Sequence, residues 1–213
     1  WSFNPTHNIY QGIAVNTTSD VTINYIVTDD DELTANGSFV ITVAGANDDP
    51  VATFVDPANA QTATEDGGSI FGQLTGDDID GDVLIFTENA ALDGFTLDDA
   101  QGNWTFDPSH ATYQGLRAGE TRDVTYTYTV TDQNGGSDAT GSFTITITGD
   151  NDDPVAVQLE DQEVDEDDPN LTGSVTSTDV DSNDPHTYTL TNANLIDGFF
   201  FNNTGTWTFL PFD

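Results

Sequence analysis

A chain of 213 residues with 38 carboxylates and only two basic side chains, Arg117 and Arg122, has a formal charge of −36, which excludes nucleic acid and anionic membrane surfaces as partners because both need clustered Lys/Arg. No apolar run is long enough to span a bilayer and no signal peptide is present, so membrane insertion is not expected and the piece reads as internal to a longer exported chain. The absence of Cys removes disulfides and thiolate metal sites.

High acidity can also mean disorder. Against that stand 13 Phe, six Tyr and three Trp, many of them alternating with polar residues. In chain order, Trp1–Ala52 contains WSFNP, YQGIA, VTINYIVTD, GSFVITVAG and NDDPVA. Trp104–Ala156 contains WTFDP, YQGLR, VTYTYTVTD, GSFTITITG and NDDPVA, and a third copy begins at Trp207 with WTFLP. The three Trp recur at one constant interval, and an interval of roughly 100 residues is the length of a single domain. Within each copy, residues i, i+2 and i+4 share a strand face. Val124, Tyr126, Tyr128 and Val130 alternate with threonines, as do Phe143, Ile145 and Ile147, so strands are expected at both places. No window offers an amphipathic helix. Several short strands per repeat imply an all-β chain of tandem Greek-key β-sandwiches.

If the NDDP motifs are junctions, residues 47–150 form one complete sandwich. Residues 1–46 are then the C-terminal half of a repeat and 151–213 the N-terminal half of the next. A half-sandwich exposes an apolar face and an open edge. The two halves are therefore expected to complete each other, within one chain or as a swapped homo-oligomer; disordered or repacked ends are the alternative.

The acids cluster between the expected strands, at Asp29–Glu32, Asn47–Asp49, Glu65–Asp66, Asp77–Asp82, Asp150–Asp153, Asp165–Asp168 and Asp179–Asp184. Calcium takes six to eight oxygen ligands in loose geometry, which Asp-x-Asp turns supply well. Magnesium rarely uses an all-protein cage, and zinc would want Cys or paired His. The competing explanation is that the acids only solubilise the protein in salt, which suits dispersed ones such as Asp98 and Asp99. Carboxylates packed this closely would repel by several kcal/mol at low dielectric without a cation.

The phrase VTYTYTVTDQNGG…TGSFTITITGDNDDPVA resembles the VCBS and cadherin-like repeats of bacterial RTX adhesins, although no GGxGxDxUx nonapeptide occurs. The resemblance implies an Ig/cadherin-like sandwich with Ca2+ between consecutive domains. Asn151, Asp152 and Asp153 resemble the linker Asn-Asp-Asn motif, with Asn47, Asp48 and Asp49 as the earlier copy. Asp78 and Asp80, repeated at Asp179 and Asp181, resemble the Asp-x-Asp pair, and Asp82 follows the first. Asp132, repeated at Asp29, resembles the Asp after the penultimate strand. Glu65 and Glu166 resemble the glutamate near the first strand, and Glu120 that of Asp-Arg-Glu. Gly45 and Gly149 replace the acid that opens the linker motif, Thr17 stands opposite Glu120, and Asn183 stands opposite Asp82. Since alternate loops of a sandwich lie at opposite ends, Asp78–Asp80 and Asp132 should meet Asn47–Asp49, and Glu65 and Glu120 should meet Asn151–Asp153.

His7 and His110 share one repeat position, which points to a structural role, and His186 has no partner that the sequence identifies. The repeated Trp residues belong in a core or over a sandwich end rather than in a sugar site. With no Ser–His–Asp order, P-loop or dinucleotide motif, the chain is not expected to be an enzyme. The implied function is a calcium-rigidified spacer of a large surface or secreted adhesin, extracellular, with neighbouring repeats as partners. The alternative is a calcium-dependent module that binds polysaccharide or a like domain.

Overall fold

The computed structural model describes residues 1–181, 183–191 and 197–211. Among them the chain is all-β apart from one short 3-10 turn, Asn8–Tyr10. Strand β1 (Thr18–Thr28) pairs antiparallel with β2 (Thr34–Ala44), with Val21 opposite Ile41 and Ile23 opposite Phe39. The central segment runs β3 (Val51–Ala52), β4 (Gln61–Thr64), β5 (Ile70–Gln73), β6 (Gly76–Asp77), β7 (Ile85–Glu88), β8 (Phe95–Leu97), β9 (Asn103–Phe106), β10 (Thr121–Thr131) and β11 (Ser137–Thr148). The C-terminal segment adds β12 (Val155–Val157), β13 (Leu171–Ser174), β14 (Thr176–Thr178), β15 (Phe199–Phe201) and β16 (Thr206–Phe209).

In the central segment one sheet has the order β4-β11-β10-β7 and the other β5-β9-β8. The expected alternation is realised: Val124, Tyr126, Tyr128 and Val130 on β10 and Phe143, Ile145 and Ile147 on β11 are buried. From β5-β9-β8, Trp104, Phe106 and Phe95 meet them, with Phe95 stacked 3.8 Å from Tyr126 and Trp104 centred 5.3 Å from Phe143. Each such side chain contributes about 1.5–3 kcal/mol on burial. Tyr128 satisfies its hydroxyl by donating to the Phe54 carbonyl at 3.0 Å. Glycine makes the ring packing possible: a Cβ on Gly72 would run into the Trp104 indole, and one on Gly141 into the Tyr128 ring. The same pairs recur as Gly173 with Trp207 and Gly37 with Tyr25.

Two compact units result. The first comprises Trp1–Ala63, Gly68–Pro108 and Asp123–Thr146, and the second Thr64–Gly67, Ser109–Arg122 and Ile147–Asp213. In the first unit β1 and β2 stand as a separate two-stranded sheet. In the second, β13-β16-β15 repeats the order β5-β9-β8, and β12 pairs with β14 as β3 pairs with β6. His110 Nδ1 accepts from the Thr112 amide at 3.3 Å, and its ring lies edge-on to Tyr113.

Candidate metal centres at two acidic junctions

Each unit carries one acidic junction. In the first, Asp78 opens the turn between β6 and β7 and folds its own loop. Its Oδ1 accepts from the Asp80 amide at 2.8 Å and the Asp82 amide at 3.4 Å, a local pattern that Asp side chains favour. Gly81 sits in the left-handed region (φ +76°), which the turn requires. Asp80 Oδ2 then accepts from the backbone of Asp48 at 2.8 Å. Asp132, just past β10, caps the following turn by accepting the amides of Asn134, Gly135 and Gly136 at 2.7–2.9 Å on Oδ1. Its Oδ2 accepts from the Asn47 side-chain Nδ2 at 2.6 Å. Gly136 has no room for a Cβ, because Asp132 Oδ2, Asp49 Oδ1 and Asn47 Nδ2 crowd the position.

The junction thus gathers Asn47, Asp48, Asp49, Asp78, Asp80, Asp82 and Asp132 in one place. Carboxylate oxygens of Asp78, Asp82 and Asp132 all lie within 4.8 Å of one another, a spread one ion can bridge with calcium–oxygen bonds of about 2.3–2.6 Å.

The second junction repeats much of this. Asp179 Oδ1 accepts from the Asp181 amide at 2.9 Å, and Asp181 Oδ2 from the Asp152 amide at 3.1 Å. Asn151 Nδ2 donates to the Asp152 carbonyl as Asn47 does to that of Asp48. Glu65 is fully buried, with Oε1 accepting from the Asp150 amide at 2.8 Å and Oε2 from the Leu116 amide at 3.3 Å. Glu120 accepts from the Arg117 amide at 3.3 Å, and its carbonyl takes the Gly149 amide.

Six expected ligands, Asp29, Asp49, Glu120, Asn151, Asp153 and Glu166, are exposed. Asp29 is exposed and holds its own turn through the Asp31 and Leu33 amides. Glu166 is exposed before β13, and Asp153 is exposed beside the buried part of its cluster. Asn183 has a left-handed backbone (φ +60°), as Gly81 has (φ +76°).

Several contributors are absent from the set named from sequence. Asn134 donates to Asp82 Oδ2 at 2.7 Å, and Asp138 Oδ2 accepts the Ala52 amide at 2.8 Å. Asp66 and Asp150 add charge beside Asp152. Asp66 and Asp150 belong to the acidic clusters Glu65–Asp66 and Asp150–Asp153, though not to the residues matched to the linker motifs. His186 does have partners: its Nε2 lies 3.1 Å from Asp179 Oδ2, and its Nδ1 2.5 Å from Ser177 Oγ, which also contacts the Tyr188 hydroxyl at 2.8 Å. No spacing rule would have found that group.

A cation fits the donor set on one test. Buried oxygens of Asn47 (Oδ1), Asp78 (Oδ2), Asp80 (Oδ1), Asp152 (Oδ2) and Asp181 (Oδ1) accept no hydrogen bond. A buried, unpaired carboxylate oxygen is costly, and a hard divalent ion is the partner that chemistry supplies. The electrostatics agree. Burial lifts the Asp152 carboxyl above its ordinary 3.8, and Asp66, Asp181, Asp179 and Asp150 lift it further. Burial likewise lifts Glu65 above 4.5, against the opposing amides of Asp150 and Leu116. Burial pushes Asp132 up too, but the donors from Asn47, Asn134, Gly136 and Gly135 prevail and hold it low. Asp138 is held low by the Thr140 hydroxyl and the Ala52 amide.

These directions make a pH prediction for the calcium-free chain. Glu65 and Asp152 have raised folded values, so the stability of their neutral forms is full below 4.5 and 3.8 and is lost as pH rises through the raised values. Asp132 and Asp138 contribute stability above 3.8 that disappears as pH falls through their lowered values. In EDTA, thermal scans from about pH 4 to 7 should therefore show the highest melting point at the acidic end, and Glu65→Gln should flatten the decline.

Comparison with known proteins bears on the fold. Residues 47–149 match the family model of the bacterial cadherin-like domain. No curated protein matches the chain. Among solved structures, mouse Cadherin-23 EC22-24 is similar with a TM-score of 0.52 at 16% identity, covering 90% of this chain and 63% of that one. Human CDH23 EC21-23 gives 0.53 at 17% identity, covering 91% and 63%. The chain thus spans less than two thirds of each of these structures, and the likeness supports an Ig/cadherin-like β-sandwich.

Proposed function

We propose that this chain is a stretch of spacer repeats from a bacterial RTX-type surface or secreted adhesin, stiffened by calcium at its junctions. The observation that carries the reading is the presence in both junctions of buried carboxylate oxygens without a donor, at Asp78 and Asp80 in one and Asp152 and Asp181 in the other, of which Asp80 and Asp181 share one repeat position. Asp78, Asp80, Asp82, Asp132 and Asn47 would hold the ion in the first, and Asp152, Asp179, Asp181 and Glu65 in the second. Asp29, Glu120, Glu166, Asp49 and Asp153 would complete the ligand sets with neighbouring repeats. Calcium would supply charge neutralisation, and the chain's own turns supply the geometry. Linker residues Asp48 and Asp152 are already tied by their amides to the Asp-x-Asp turns, so locking those turns locks the linker. A string of sandwiches at −36 then extends as a rod outside the cell, in biofilm or at a surface, and presents an adhesive domain at a distance. Affinity in the extracellular range, roughly 0.1–1 mM, suits that setting.

The test uses the absence of native Cys, which makes paired spin labels specific. Labels at Ser19→Cys and Thr125→Cys straddle the first linker, and labels at Thr125→Cys and Thr176→Cys straddle the second. Labelled chains are diluted tenfold into unlabelled ones, and distance distributions are compared in EDTA and in millimolar calcium. Distributions that narrow in calcium but not in magnesium support the rod. Widths indifferent to calcium overturn it.

A further inference from the structure

Asn is followed by Gly at two places in the sequence, Asn36–Gly37 and Asn134–Gly135. This dipeptide is chemically labile. With no side chain on the second residue, its backbone nitrogen can approach the Asn side-chain carbonyl carbon and close a five-membered imide. Whether it does so depends on the backbone around it. Asn36 and Gly37 lie inside β2, extended and paired with Ile26 and Tyr25 of β1. Asn134 and Gly135 are exposed and lie between β10 and β11, outside any strand. Gly135 has φ +115°, and a Cβ there would meet no atom within 4 Å, so an imide ring has room on that side.

The same turn reaches the first junction. Asn134 Nδ2 donates to Asp82 Oδ2 at 2.7 Å, and the backbone amides of Asn134 and Gly135 donate to Asp132 Oδ1 at 2.7 and 2.9 Å. The nitrogen that deamidation expels is therefore the one that Asp82 holds. The fold also accepts an acid at this place. Asp31 stands at the repeat position of Asn134, as Asp29 does at that of Asp132. The Asp31 and Leu33 amides donate to Asp29 Oδ1 at 3.1 and 2.8 Å, as those of Asn134 and Gly136 donate to Asp132 Oδ1.

We infer that Asn134 is a deamidation site, and that the carboxylate it becomes turns a hydrogen bond at the first junction into a like-charge contact. In the reaction the Gly135 nitrogen bonds to Asn134 Cγ and the Cγ–Nδ2 bond breaks. The proton of the Gly135 N–H leaves with the expelled nitrogen, as ammonia. Water then opens the imide at either carbonyl, giving aspartate or isoaspartate at this position. Water is the one co-reactant.

The aspartate keeps the turn, as the Asp29–Leu33 copy does. It sets a charge against Asp82, beside Asp78 and Asp132, whose oxygens already lie within 4.8 Å of one another. The isoaspartate adds a methylene to the main chain and draws the Gly135 and Gly136 amides away from Asp132. Without metal, both products loosen the junction. With calcium, the aspartate brings a further negative charge near the ion and tightens its binding, a consequence that rests on the calcium reading proposed above.

The test incubates the whole chain in EDTA at mildly alkaline pH, folded and in urea, and follows both Asn–Gly pairs by peptide mass spectrometry. In urea the two should convert at similar rates, because local sequence alone then acts. In the folded chain Asn134 should go on converting while Asn36 falls behind it. The variant Asn134→Asp, which carries the aspartate from the start, should raise the unfolding equilibrium constant in EDTA about tenfold, the equivalent of one hydrogen bond to a charged group. It should also bind calcium more tightly than the parent does. An Asn134 that stays amidated in the folded chain while it converts in urea, or an Asn36 that keeps pace with it, would overturn the site. An Asn134→Asp chain as stable in EDTA as the parent would overturn its effect on the junction. Calcium binding by neither protein would sink the calcium reading alone, since conversion and stability in EDTA decide the deamidation site without it.

Discussion

If calcium fills the junctions as proposed, saturating calcium should raise the melting temperature of this chain by roughly 5–10 °C for each junction. An ion bound only by the folded state at a hundredfold excess over Kd stabilises by about 2.7 kcal/mol. In a chain of this size 1 kcal/mol moves the midpoint by about 2–4 °C. The structure gives reason to expect discrimination among ions. Screening by any salt relieves long-range repulsion at −36, but it does not supply a partner for the unpaired buried oxygens of Asp78, Asp80, Asp152 and Asp181. Calorimetry in EDTA, in magnesium and in NaCl of matched ionic strength, against calcium from micromolar to about 10 mM, decides the matter. A rise confined to calcium supports the junction sites. Equal responses to all three would mean that the acids are only a screened surface.

Asp132→Ala should cost about 2–4 kcal/mol even without metal, and should also remove the calcium response of the first junction. The side chain is 2% exposed and accepts the amides of Asn134, Gly135 and Gly136 together with the Asn47 side chain. Truncation leaves those donors facing a hole, the expensive way to lose a hydrogen bond. Its repeat counterpart Asp29 is exposed and serves only its own turn, so Asp29→Ala should stay within about 0.5 kcal/mol. Urea unfolding of both variants in EDTA measures the difference. If the two cost the same, the burial of Asp132 is not what makes it important.

The contrast between Asp29 and Asp132 shows where sequence reading stops. Both end a VTINYIVTD-type strand, but the turns that follow differ, Asp30–Leu33 being acidic and Gln133–Gly136 ending in two glycines. Asp132 differs because Asn47 and the Gly136 cradle close around it, contacts made across 85 residues of chain in the case of Asn47. Glu65 and Glu166 part in the same way. One is buried under the amides of Leu116 and Asp150, and the other is in solvent.

What the sequence determined by itself was whatever depends on short separations. Alternation along Val124–Val130 and Phe143–Ile147 specified strands with one buried face, because side-chain direction in a strand follows from residue parity alone. The Asp-x-Asp turns at Asp78 and Asp179 were legible for the same reason, since their hydrogen bonds span two residues. The repeat interval paired each element with its counterpart. Only the tertiary structure decided which carboxylates lost their water, which buried oxygens were left without donors, and that His186 lies between Asp179 and Ser177. Those outcomes depend on what long-range packing brings alongside a side chain, which residue parity and short spacings do not specify.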